Sequence, residues 1–89
     1  MRLIGRDKLA QIGGEVDRWL RNWCAEVVRA HWRRPEDVTS QFPNASVRPE
    51  GDFFFPVGAS GYSVQLQIAF PQGVALILDM KKNVFPYER

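Results

Sequence analysis

Few side chains in this 89-residue chain can do chemistry, and most of the candidates lie near one end. Lys81 and Lys82 are adjacent, and Tyr87 and Arg89 follow within seven residues. Two neighbouring ammonium groups repel, and a lysine crowded by charge or burial can serve as an acid or base. The pair is a candidate for proton transfer or phosphate contact, although a solvated strand end explains it equally well. His31 is the one histidine. It stands beside Trp32 at the end of a helical pattern, where capping or partial packing is expected rather than catalysis. Cys24 follows Trp23 and reads as a small core or boundary residue, with Arg21 its one basic neighbour in sequence. A single cysteine builds neither a disulfide framework nor a zinc site, and it fits a reducing compartment.

These groups need elements to hold them. The length supports one domain, spanning residues 1–89. A 45% hydrophobic content with three tryptophans and six phenylalanines supplies one modest core and argues against disorder. MRLIGRDKLA is too short and too charged for a signal peptide, and no apolar run approaches a membrane span. A cytoplasmic protein is expected. The net charge of +2 and pI near 9.0 permit a nucleic-acid partner without indicating one.

The first half reads as helical. Residues 1–4 suit a short strand and residues 5–12 one or two helical turns, before Gly13-Gly14 breaks the chain. Val16, Trp19, Leu20, Trp23, Val27, Val28 and Trp32 recur at i, i+3, i+4 and i+7, which predicts a helix over 15–32 with one buried stripe. Arg29, Arg33 and Arg34 would sit at its C-terminal end. Arg18, Asn22, Arg29 and Arg33 share its polar face, read as solvated. Pro35 stops this helix and starts a short one over 35–42, ended by Pro43.

The second half reads as strand. Residues 44–47 suit a short strand, and Pro49-Glu50-Gly51-Asp52 a turn. Phe53-Phe54-Phe55 is an aromatic strand that Pro56 places at an edge or terminates. Tyr62, Val64, Leu66, Ile68 and Phe70 alternate with Ser63, Gln65, Gln67 and Ala69, the period of a half-buried strand with an uncharged polar strip on its open face. The apolar run 74–80 predicts a central strand. The expectation is α+β: two or three helices packed on an antiparallel meander of three or four strands.

The stretch 23-WCAEVVRAHWRRPEDVTSQFPNA-45 carries Trp23, Glu26, Val27, Arg29, Ala30, Trp32, Pro35, Asp37, Phe42, Pro43 and Ala45. It resembles the central signature of HigB-type toxins of the RelE-like superfamily: a helix ending in tryptophan, a proline-started short helix, then Phe-Pro-x-Ala. The opening MRLIGRDKL, with Arg6 and Lys8, is similar to their start, and the spacing holds to about Met80. The resemblance implies a toxin partnered by a cognate antitoxin, which cleaves mRNA, usually on the ribosome, without a metal or other cofactor. Such cleavage needs a base for the 2′-OH, a cation at the developing phosphorane and an acid for the leaving oxygen.

The chain departs from that pattern where the chemistry lies. Ser63 stands where relatives carry arginine, and serine offers no charge to the phosphorane. Asp52, Gly58 and Gly61 stand at positions often basic in relatives. Lys81-Lys82-Asn83 replaces a Gly-Thr-His segment, and Tyr87 is shifted by one position. Two expectations follow. Lys81, Lys82 and Tyr87 rebuild a catalytic site with Arg6, Lys8 and Arg89 holding RNA, or the scaffold persists as a non-enzymatic module that binds antitoxin or RNA. A third, unrelated to the family, is a small α+β interaction domain.

Overall fold

The structure, a computed structural model, describes residues 1–82. Elements follow the chain as β1 (Arg2–Ile4), a 3-10 turn (Arg6–Lys8), α1 (Gly14–Arg29), α2 (Pro35–Gln41), β2 (Ser46–Val47), β3 (Phe53–Pro56), β4 (Tyr62–Ala69) and β5 (Val74–Lys82). The strands form one sheet in the order β1-β5-β4-β3-β2. β5–β4, β4–β3 and β3–β2 are antiparallel, as the short connections require, but β1 lies parallel to β5. The sheet is therefore mixed and five-stranded, with two α-helices, rather than the smaller antiparallel meander expected. The opening strand pairs with the last one through the helical crossover, and short-range patterning carries no trace of such a distant partner.

α1 is shorter than its apolar periodicity suggests. It begins after Gly13, and Asp17 accepts a hydrogen bond from the Ile12 N–H at 3.0 Å. It stops at Arg29, and Ala30 is already extended. The Met1 ammonium donates to the carbonyls of Ala30 (2.7 Å) and Val28 (3.1 Å), satisfying helix-end acceptors. Val28, Trp32, Arg33 and Arg34 thus fall outside the predicted pattern. Val28 is 44% exposed, and Trp32 is buried beyond the helix, donating its indole N–H to Gln41 Oε1 at 2.9 Å. His31 is exposed in this link, neither packed nor capping. Asp37 Oδ2 accepts the backbone N–H groups of Arg33 (2.8 Å) and Arg34 (3.3 Å), which starts α2 around Pro35.

The core lies between the helices and one sheet face. Leu20, Trp23, Cys24 and Val27 of α1 and Val38 of α2 meet Phe53, Phe55, Val64, Leu66, Ala75 and Ile77. Aromatic rings bridge the layers: Trp23 and Phe42 each meet Phe55 edge-on, at 5.2 and 5.3 Å between centroids. Such pairs contribute about 0.5–1.5 kcal/mol each beyond the area they bury. Gly5 turns the chain out of β1 at φ 93°, and a Cβ there would lie 2.7 Å from the Ile77 carbonyl oxygen. Only glycine passes so close to β5 in that conformation.

β2 covers only Phe53 and Phe54, so among the described residues β3 has no strand beside its outer edge from Phe55 onward. The Val57 N–H bonds the Tyr62 carbonyl. By alternation, the N of Pro56 faces the bare edge, where proline has no hydrogen to offer an incoming strand.

Candidate functional site

The sheet face turned away from the helices is the surface on which the expected chemistry would sit. Three strands build its relevant part. Pro56, Ser63 and Lys81 lie opposite one another in one row, and Phe54, Gln65 and Asp79 in the next. Ser63 is buried, at 5% exposure, rather than part of an open polar strip. Its neighbours across the ladder are Pro56 and Lys81.

A β-bulge decides which lysine reaches this face. Gln65 pairs with Asp79 but Leu66 with Ile77, so Leu78 is an extra residue in β5. Ala75 and Ile77 point into the core. Without the bulge, Asp79 and Lys81 would follow them; with it, the parity flips. Met80 then packs against the core, where its sulfur accepts the Ala10 N–H at 3.4 Å. Lys81 and Asp79 emerge together on the open face. Lys82 goes the other way, opposite Tyr62, with its Nζ 6.0 Å from that ring's centroid. The two lysines therefore work on opposite faces and cannot act as a pair.

Arg6 does not join Lys81 either. It lies near Cys24 on the helical side, and both line a small surface depression with Asp17 and Arg21. Burial pushes the Cys24 thiol above its ordinary range, and the Arg6 charge partly offsets this. Lys8 is exposed on the 3-10 turn beside β5. Tyr87 and Arg89 lie outside the described residues.

Three groups on the open face were not anticipated. Arg48 stacks its guanidinium 4.9 Å from the centroid of Phe54, and its Nε lies 4.0 Å from Glu50. Asp52 accepts a 2.9 Å hydrogen bond from the Gln65 amide. Asp79 Oδ1 accepts the N–H of Met80 at 2.8 Å, which fixes its carboxylate. The sequence did hold a signal for Arg48: the turn at 49–51 puts it opposite Asp52, diagonal to Phe54 across the strand pair. Asp79 was hidden because the bulge left no mark in the apolar run.

This face thus offers one lysine, two oriented carboxylates, an arginine-capped aromatic ring and a tethered amide. Among the described residues no group of three or more His, Cys, Asp or Glu could hold a metal ion, and no helix is long and apolar enough to cross a membrane. A family model for the RelE-like toxic component of a toxin–antitoxin system, the HigB toxins, matches residues 17–81. The chain belongs to the HigB toxin family. The match runs from the first turn of α1 to Lys81, so it takes in the tryptophan helix, the proline-started α2 and the meander together. A search of curated proteins found none that matches. Membership in this HigB family carries a toxin role and an antitoxin partner with it.

Proposed function

We propose that this HigB-family toxin is a cytoplasmic, metal-independent endoribonuclease acting on mRNA at the ribosome, and that Lys81 is the cation of its cleavage site. The observation that carries this reading is the bulge at Leu78, which sets Lys81 on the open face beside Asp79 and opposite Ser63. Asp79 is then the base that takes the 2′-OH proton, the Lys81 ammonium offsets charge on the phosphorane, and solvent water protonates the leaving 5′ oxygen as its bond to phosphorus breaks. The Arg48 guanidinium, stacked on Phe54, offers a plane for a nucleobase to stack on. Lys82 and Arg6 take no part in the reaction.

The test is inducible expression of the chain alone. Growth arrest is expected from the wild type and from Lys82→Ala, and relief from Lys81→Ala. Message cleavage by the purified Lys81→Ala chain should fall by about 10²–10³-fold, the usual effect of losing one group that stabilises the transition state. A harmless wild type that leaves message levels unchanged would end the enzyme reading.

A second reading draws support from the same face. Asp52 and Asp79 set negative charge around Gln65, one row from Ser63, and the arginine that relatives carry in place of Ser63 is absent. A toxin homologue that binds its antitoxin without cutting would look like this. It would still capture that partner after Lys81→Ala, and it would not slow growth.

A further inference from the structure

At the bare edge of β3, α1 and the turn after α2 enclose a cleft of about 360 Å³. Its walls include Trp19, Trp23, Phe42 and Phe55, four aromatic rings, and among the described residues its one charged lining residue is Glu26. Trp23 is 1% exposed, and its buried indole N–H has no hydrogen-bond partner among the described residues. Buried donors left unpaired cost roughly 1–3 kcal/mol and call for an explanation in a native structure.

Glu26 is exposed at the cleft's rim, and one long hydrogen bond orients it. Gln41 donates to its Oε1 at 3.4 Å while accepting the Trp32 indole N–H at 2.9 Å. The carboxylate makes no ion pair among the described residues, although the chain carries 12 Lys and Arg. Trp19 stacks nearly parallel on Trp23, 6.3 Å between centroids and 13° apart, and is only partly buried. An aromatic face beside a free, oriented carboxylate suits a guanidinium, which stacks and donates in one plane. Among the described residues no lysine or arginine lines the cleft, so a phosphate-bearing ligand finds no counter-charge from them.

The size lies at the low end for ligand cavities, roughly 300–1,000 Å³, which suits one inserted side chain with its flanking backbone. Pro56 denies the edge a donor, so the occupant enters by its side chain and not as an added strand.

We propose that this cleft receives an arginine from the antitoxin, its guanidinium between Trp19 and Glu26. The identity of the partner rests on the toxin–antitoxin reading; the chemistry of the cleft does not. The full chain, labelled with ¹⁵N, gives one indole resonance per tryptophan, and Trp19→Phe and Trp32→Phe variants identify that of Trp23. Titration with Nα-acetyl-arginine-N-methylamide should move the Trp23 indole resonance saturably. The neutral citrulline analogue, and the Glu26→Gln chain, should each bind about tenfold more weakly or worse. No shift, an equal shift with citrulline, an unaffected Glu26→Gln chain, or a response to guanosine monophosphate in place of arginine overturns the cleft assignment. Glu26→Lys should release the protein encoded by the adjoining gene in a pull-down, and undiminished capture removes the antitoxin as occupant. A chain that binds the arginine probe yet never arrests growth would overturn the nuclease reading and leave the cleft standing.

Discussion

At the scale of single residues, position has more say than type. Two identical lysines, one peptide bond apart, take opposite faces by strand alternation, and a single extra residue upstream decides which of them meets the open face. Sequence alone presents them as a pair. Cys24 makes the same point by burial. Its thiol is pushed up by desolvation, with Arg6 opposing, so the folded state favours the protonated form. The folded value lies above the ordinary one of about 9.0, so the contribution to stability is complete below pH 9 and is lost as pH rises through the folded value. The midpoint of urea unfolding should therefore fall above pH 9, with a shallower fall in Cys24→Ala. Reaction with a disulfide reagent at pH 8 should be slow for the native chain and fast in denaturant.

Elements were legible to different degrees, each for a physical reason. β4 alternates for eight residues and α2 begins at a proline, and both lie where local chemistry puts them. α1 ends early because its last apparent turn is claimed by other partners: Met1 takes its carbonyls and Asp37 takes the amides that follow. Periodicity reports which side chains are apolar, not who competes for the backbone. The bulge in β5 was illegible because nine largely apolar residues look alike in either register. The crossing of Gly5 over β5 is the most demanding local geometry. Gly5→Ala combines a disfavoured positive φ with a clash against the Ile77 backbone, and should lower stability by about 2 kcal/mol or more. Thermal unfolding of the variant measures this directly.

For the whole molecule, the helical layer and the aromatic bridge between layers could be foreseen from composition and pattern. The place of β1 could not, because its partner lies some seventy residues away. That strand does more than complete the sheet: it covers an edge of β5 that would otherwise offer unpaired backbone to other molecules. Removing residues 1–4 should lower the unfolding temperature and produce concentration-dependent association in light scattering. A monomer of unchanged stability would show that the strand is dispensable.

The parallel pairing of β1 with β5 also sets an order of events during synthesis. Residues 2–4 leave the ribosome first but find no partner until residues 74–76 have emerged. Until then Leu3 has no sheet to dock on, and the nascent chain carries loose β-forming residues at its front. The helices and β2–β4 can gather earlier, so the architecture closes like a clasp whose two halves are made at different times. Slowing translation between β4 and β5 would lengthen this open interval, and with it the time in which a chaperone or a second nascent chain can capture the front end.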